Sequence, residues 1–143
     1  MVDVGGKPAT ARSATAAATV HTTAEVVDLI AGGGLPKGDA LATARVAGIL
    51  AAKRTSDLIP LCHQIALSGV DVDFETHSNT IGITASARTT DRTGVEMEAL
   101  TAVAVAALAV YDMIKAVDPA ARIDDIRLLR KEGGKTGIWT GSP

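Results

Sequence analysis

The chain has 143 residues, of which 47% are hydrophobic, and a formal net charge of −2. That length suits one domain around one core, and so balanced a charge creates no bulk field that would draw in a polyanion. Phe74, Tyr111 and Trp139 are the only Phe, Tyr or Trp residues, so there are no aromatic platforms for single-stranded nucleic acid, and Ala, Val, Ile and Leu must fill the interior.

Cys62 is the only cysteine, which excludes an intrachain disulfide framework and a CxxC metal site and fits a reducing compartment. The N-terminal stretch "MVDVGGKPATARSATAAATV" lacks the basic start and apolar block of a secretory signal. No apolar run approaches the roughly 20 residues needed to span a bilayer. The expectation is a soluble, cytoplasmic protein with neither a membrane nor a nucleic-acid partner.

Residues 1–11, with Gly5, Gly6 and Pro8, read as a flexible arm. "ARSATAAATVHT" reads as an edge strand or extended arm, with Arg12 its one strong charge. "TAEVVDLIA" reads as a short helix capped by Thr22 or Thr23, and "GGGLP" ends it. Asp39 is a good N-cap for a second helix running to Lys53, with Leu41, Val46, Ile49 and Leu50 facing the core. In "LSGVDVDFETH", Val70, Val72 and Phe74 alternate with Asp71, Asp73 and Glu75; "TIGITASART" alternates again, so the two form a hairpin.

A long helix follows from about Val95 to Val117, uncharged between Glu98 and Asp112. Leu100, Val103, Ala107, Val110 and Ile114 make a bulky face to cover a sheet, and Ala99, Ala102, Ala106 and Ala109 a smooth one suited to close helix approach. The smooth face meets either another helix of the same chain or, in the sharper reading, its own copy in an oligomer. "ARIDDIRLLRKEGGKTGIWT" closes the chain as a strand and a Gly/Lys loop. This order gives an α+β fold with helices packed on one face of an antiparallel sheet.

The long helix also carries the chemistry at its ends. Glu96 and Glu98 fall in its first turns, where the helix dipole favours carboxylates. Asp112 and Lys115 are three residues apart near its other end, either as a solvated ion pair or as a paired acid and base at the edge of a core. His63, inside "LIPLCHQIAL", is either a buried histidine satisfied by a backbone carbonyl or a site residue; Cys62 and His63 as neighbours on an extended chain point apart and make a poor nucleophile pair. Lys37-Gly38-Asp39 has the form of an anion-binding helix start. "RKEGGKTG" fails the phosphate-loop pattern, because Leu129 stands where its first glycine belongs. It leaves a glycine loop with Arg130, Lys131 and Lys135, a clamp for phosphates or a solvated basic loop.

Five segments, "KGDALATARVAGI", "AAKRTSDLIPLCH", "TGVEMEALTA", "YDMIKAV" and "RLLRKEGGKTG", occur in this order. Together they resemble the cyclic pyranopterin monophosphate synthase family, the C protein of molybdenum-cofactor (molybdopterin) biosynthesis, from "MVDV" to "GGKTG". Gln64 stands where a proline would be expected and Ile114 where a cysteine is common. The resemblance implies one synthase domain over 1–143 with a ferredoxin-like α+β fold.

It further implies a lyase acting on cyclic 3′,8-linked dihydroguanosine triphosphate, giving the cyclic pterin monophosphate and diphosphate. It implies a hexamer built as a trimer of dimers, with sites at the dimer interface. By motif match Asp112, Lys115 and Lys37 are catalytic, and Leu61, Cys62, His63, Met97, Glu98, Glu96 and Lys131 bind substrate. No protein metal site or resident cofactor is implied; magnesium would arrive on the substrate phosphates. The reading from another class is a non-catalytic nucleotide-binding regulatory module using the same lysines. The Asp112–Lys115 pair separates the two, since a carboxylate beside a triphosphate only repels it.

Overall fold

Alternation governs the strands. In β1 (Thr10–His21) Ala14, Ala16, Ala18 and Val20 are buried while the residues between them are not. The hairpin of β2 (Gly69–Thr76) and β3 (Thr80–Asp91) does the same, burying Val72 and, on β3, Ile81, Ile83, Ala85 and Ala87. Those rows meet in register, Ala14 opposite Ala87, Ala16 opposite Ala85, Ala18 opposite Ile83 and Val20 opposite Ile81. The result is one smooth, dry face of small side chains. A computed structural model describes residues 1–142 and shows a five-stranded antiparallel sheet of order β2-β3-β1-β4-β5, with β4 spanning Arg122–Glu132 and β5 Trp139–Thr140.

β1 is therefore the central strand of the sheet, not the edge strand or arm that its sequence suggests. Its alanines carry little hydrophobic signal. They are small because α4 (Glu96–Ile114) lies directly over β1, β3 and β4.

Local chemistry sets the helix ends. Thr23 caps α1 (Ala24–Gly32) by accepting from the Val26 N–H, and Gly33, at φ 69°, closes it in the left-handed region. Asp39 caps α2 (Ala40–Lys53) by accepting from the Ala42 N–H. A single turn, α3 (Thr55–Leu58), follows, and Pro60 and Leu61 then turn the chain out of the helix layer.

The helices cover one face of the sheet, in the α+β, ferredoxin-like arrangement. On α4, Val103, Ala107, Val110 and Ile114 are fully buried over the sheet. Its smooth face, Ala99, Ala102 and Ala106, packs on α2 of the same chain rather than on a second copy. Gly48 makes that approach possible, since a Cβ there would sit 3.0 Å from the Ala102 carbonyl oxygen and 3.3 Å from the Ala106 Cβ.

The face that α2 turns inward is consequently Ala40, Ala44, Gly48, Ala51 and Ala52. Leu41 and Ile49 pack partly against the core as expected. Val46 and Leu50 do not; they are 57% and 51% exposed, and Leu108 of α4 is exposed at 58%. Backbone approach, not side-chain size, chose the buried face. By length and composition α4 would suffice to cross a membrane, but here its apolar residues form the core.

Candidate active site

Two clusters of titratable groups stand at opposite ends of α4. At its C-terminal end Asp112 accepts hydrogen bonds from two lysines: Lys115 Nζ donates to Oδ1 at 2.6 Å and Lys37 Nζ to Oδ2 at 2.7 Å. Helical spacing places Lys115 beside Asp112. Lys37 arrives from the loop between α1 and α2, which is anchored by buried Leu35 and turned by Gly33 and Gly38, both at positive φ. Lys115 first, and then Lys37, draw the Asp112 carboxyl down from its ordinary range to about 2. Asp112 in turn raises the Lys115 ammonium above its usual value. All three side chains are about half exposed, so the cluster contributes little to stability.

The second cluster surrounds the first turn of α4. Ala14 and Lys131 face each other across β1 and β4 on the helix side of the sheet, which sends the lysine toward the helix start. There Lys131 Nζ donates to Glu96 Oε1 at 2.9 Å. Burial pushes the Glu96 carboxyl up, but the Lys131 hydrogen bond, a backbone hydrogen bond and the charges of Lys131 and Arg12 together hold it below the usual range.

Glu98 is only 3% exposed, and its Oε2 has no hydrogen-bond partner among the described residues. Burial raises its pKa, opposed by a backbone hydrogen bond and assisted by the charge of Glu96. Burial, then Glu98 and Glu96, push the half-buried Cys62 thiol up, so it lies in this cluster and is a poor nucleophile.

Among the expected site residues, the structure thus joins Lys37, Asp112 and Lys115 in one place, and Glu96, Glu98, Lys131 and Cys62 in another. Met97 is half-buried in the same first turn, and Leu61 is 69% exposed on the turn before Cys62. His63 is not a core residue; its Nε2 donates to the Val2 carbonyl at 2.7 Å, so it meets the N-terminal arm. That arm is also tied by Arg92, whose Nη1 donates to the Gly5 carbonyl at 2.8 Å, and β1 begins at Thr10. Glu98 and Asp112 are fourteen residues apart on one helix, or about 21 Å along its axis. The sequence suggested Lys37 as a phosphate ligand and missed its bond to Asp112, because the two lie 75 residues apart. It also left Arg12 without a role.

An open antiparallel sheet roofed by helices, with lysine–carboxylate clusters at both ends of the central helix, defines a small ferredoxin-like α+β protein. The sequence pattern of the MoaC family matches residues 1–134, and the chain belongs to that family. It is 71% identical over 98% of its length, and 84% of the relative's, to cyclic pyranopterin monophosphate synthase 2 of Mycobacterium tuberculosis (strain ATCC 25618 / H37Rv). It is 61% identical, over 99% of its length and 84% of the relative's, to the cyclic pyranopterin monophosphate synthase of Streptomyces coelicolor. The protein of that name from Peptoclostridium acidaminophilum is 56% identical over 97% of this chain and 88% of its own.

Proposed function

We propose that this chain is a cyclic pyranopterin monophosphate synthase, a lyase of molybdenum-cofactor biosynthesis. It converts the 3′,8-cyclic dihydroguanosine triphosphate to the cyclic pterin monophosphate and releases diphosphate. The observation that carries this reading is the Lys37–Asp112–Lys115 cluster, in a chain so similar to proteins of that name. A module that only bound a triphosphate would have no use for Asp112.

The geometry suggests how the cluster works. With two ammonium groups on it, Asp112 is too weak a base to take a proton at neutral pH, and Lys115 too weak an acid to give one. An anionic or carbonyl oxygen of the substrate that draws Lys37 away would let the Asp112 carboxyl rise back toward its ordinary range, while Lys115, held up by Asp112, stays a cation. Asp112 and Lys115 then exchange protons during ring opening and pterin closure, while Lys37 and Lys131 bear on the phosphates. Glu96, Glu98, Met97, Leu61, Cys62 and His63 line the other part of the site. Magnesium comes with the substrate phosphates.

A single chain holds the two clusters too far apart for one small metabolite. Two copies packed antiparallel along α4 would set the Glu98 end of one beside the Asp112 end of the other. Since α2 already covers the alanine face, that contact runs through the outer side of the helix layer, where Val46, Leu50 and Leu108 are exposed. A hexamer made as a trimer of such dimers, working in the cytoplasm, completes the reading. Incubation with the cyclic dihydro-GTP intermediate tests it: stoichiometric diphosphate and the cyclic pterin are expected, and binding without either product would favour a regulatory module.

A further inference from the structure

Asp118 lies just past the end of α4 and is 8% exposed. Its carboxylate has no ion-pair partner among the described residues. Only neutral groups donate to it: the Thr22 hydroxyl to Oδ2 at 2.8 Å and the Ala120 N–H to Oδ1 at 3.1 Å. Burying a carboxylate without a cation costs desolvation that neutral donors offset only in part, so stability alone gives little reason for an acid here.

The turn that carries Asp118 is fixed to α4. The Ile114 carbonyl accepts from the Val117 and Asp118 N–H groups at 2.9 and 3.0 Å. The hydroxyl of Tyr111, the residue before Asp112, donates to the Pro119 carbonyl at 3.0 Å. Asp118 therefore shares one frame with Asp112 and Lys115.

Thr22 stands at the other end of the bond, where β1 gives way to α1. The segment it leads into, residues 23–38, carries Lys37 and is sparsely tied. Val26 and Leu35 are its buried anchors, with Leu29 and Ile30 packed partly beside them. Apolar burial is non-directional; it sets depth without setting position along the surface. From Thr23 to Gly38, the one hydrogen bond or ion pair to other described residues is Lys37 to Asp112. Thr22 is held by Asp118 and by its own N–H on the Asn79 carbonyl at 2.9 Å. Both side-chain tethers of this segment thus end on acids at the C-terminal end of α4.

We propose that Asp118 is a positioning residue for the reaction, resting on the synthase reading: through Thr22 it fixes where α1 begins, and so where Lys37 meets Asp112. It touches no substrate itself. When substrate draws Lys37 from Asp112, the Thr22–Asp118 bond is the directional side-chain tether that remains, and it keeps the lysine within reach of the cluster.

Thr22→Val removes the hydroxyl and keeps the shape, whereas Thr22→Ser keeps the hydroxyl. Competitive acetylation of lysines in the intact oligomer, read by mass spectrometry, reports on Lys37 directly, with Lys115 as internal reference. In Thr22→Val, Lys37 should label about two- to five-fold faster, the span that loss of an exposed ion pair corresponds to, while Lys115 is unchanged. In Asp112→Ala both lysines should label faster. The kcat on the cyclic intermediate should fall about ten-fold in Thr22→Val with KM changed less, and Thr22→Ser should restore both readouts. A bond that served stability alone would lower the urea midpoint and leave Lys37 labelling untouched. Thr22→Ala, which leaves room for water on Asp118, takes the place of the valine variant should that one not fold.

Unchanged Lys37 labelling in the folded Thr22→Val or Thr22→Ala protein overturns the clamp even if turnover falls. Failure of both variants to fold makes the bond a structural one and overturns it as well. Faster labelling of Lys37 alone, with no diphosphate released from the cyclic intermediate even by the unaltered chain, overturns the synthase reading instead and leaves the clamp in place.

Discussion

Asp112 is a carboxylate under restraint, held to about 2 chiefly by Lys115 and then by Lys37. A carboxyl depressed in the fold favours the folded state above its ordinary value, and that contribution is lost as pH falls through about 2. A carbon-detected carboxyl titration should therefore give a midpoint near 2 for Asp112, moving up toward the ordinary range in Lys115→Ala. The same variant should remain a folded oligomer with almost no single-turnover product; near-normal turnover would remove Lys115 from the chemistry. Glu98 runs the other way. Its raised value means that burying the charged form costs stability, a cost absent at low pH and growing as pH rises past the ordinary carboxylate range. Glu98→Gln should accordingly raise Tm by about 3 °C at neutral pH, by much less at pH 4, and still lose most activity.

Elements impose a different logic, that of approach distance. Gly48 lies where α2 crosses α4, and a methyl group there would press on the Ala102 carbonyl oxygen, the Ala106 Cβ and the Val72 Cγ2. Alanine gains about 1 kcal/mol of helix propensity over glycine, but a backbone carbonyl cannot move aside as a side chain can. Gly48→Ala should lose about 1 kcal/mol net and Gly48→Val about 3 kcal/mol, read as midpoint shifts in urea. This geometry also explains what the sequence revealed. Helix ends were legible because Thr23, Gly33 and Asp39 act locally. The hairpin was legible because Val70, Val72 and Phe74 alternate with acids. The place of β1 was not, since alanines at the centre of a sheet look like alanines anywhere. The outward turn of Val46 and Leu50 was hidden for the same reason, because the contact that turns them out is made by residues with almost no side chain.

For the whole molecule, the proposed two-chain site makes a demand on assembly that can be tested, because the clusters lie about 21 Å apart along one helix. Glu98→Ala and Asp112→Ala proteins, each nearly inactive, should regain part of their activity when unfolded and refolded together. A hybrid dimer would then hold one doubly damaged pocket and one intact pocket. No recovery, with hybrids seen by native mass spectrometry, would place both residues of a site on one chain or in separate sites. Lys131 offers a second check: Lys131→Ala should weaken a triphosphate ligand far more than its dephosphorylated analogue, because the lysine offers charge and no acid. The charged residues at the ends of the long helix were legible as types. Their grouping was not, because Lys37 reaches Asp112 and Lys131 reaches Glu96 only through the fold.

Trp139 stands alone as the indole of this chain. It pairs with Lys131 in the short β4–β5 ladder, at 40% exposure, just after the glycine loop. Its fluorescence thus reports from beside Lys131 without interference from any other tryptophan. A polyanion that pulls Lys131 or tightens the loop changes the solvent around that one ring, so ligand binding becomes visible as a change in its emission in the unlabelled protein.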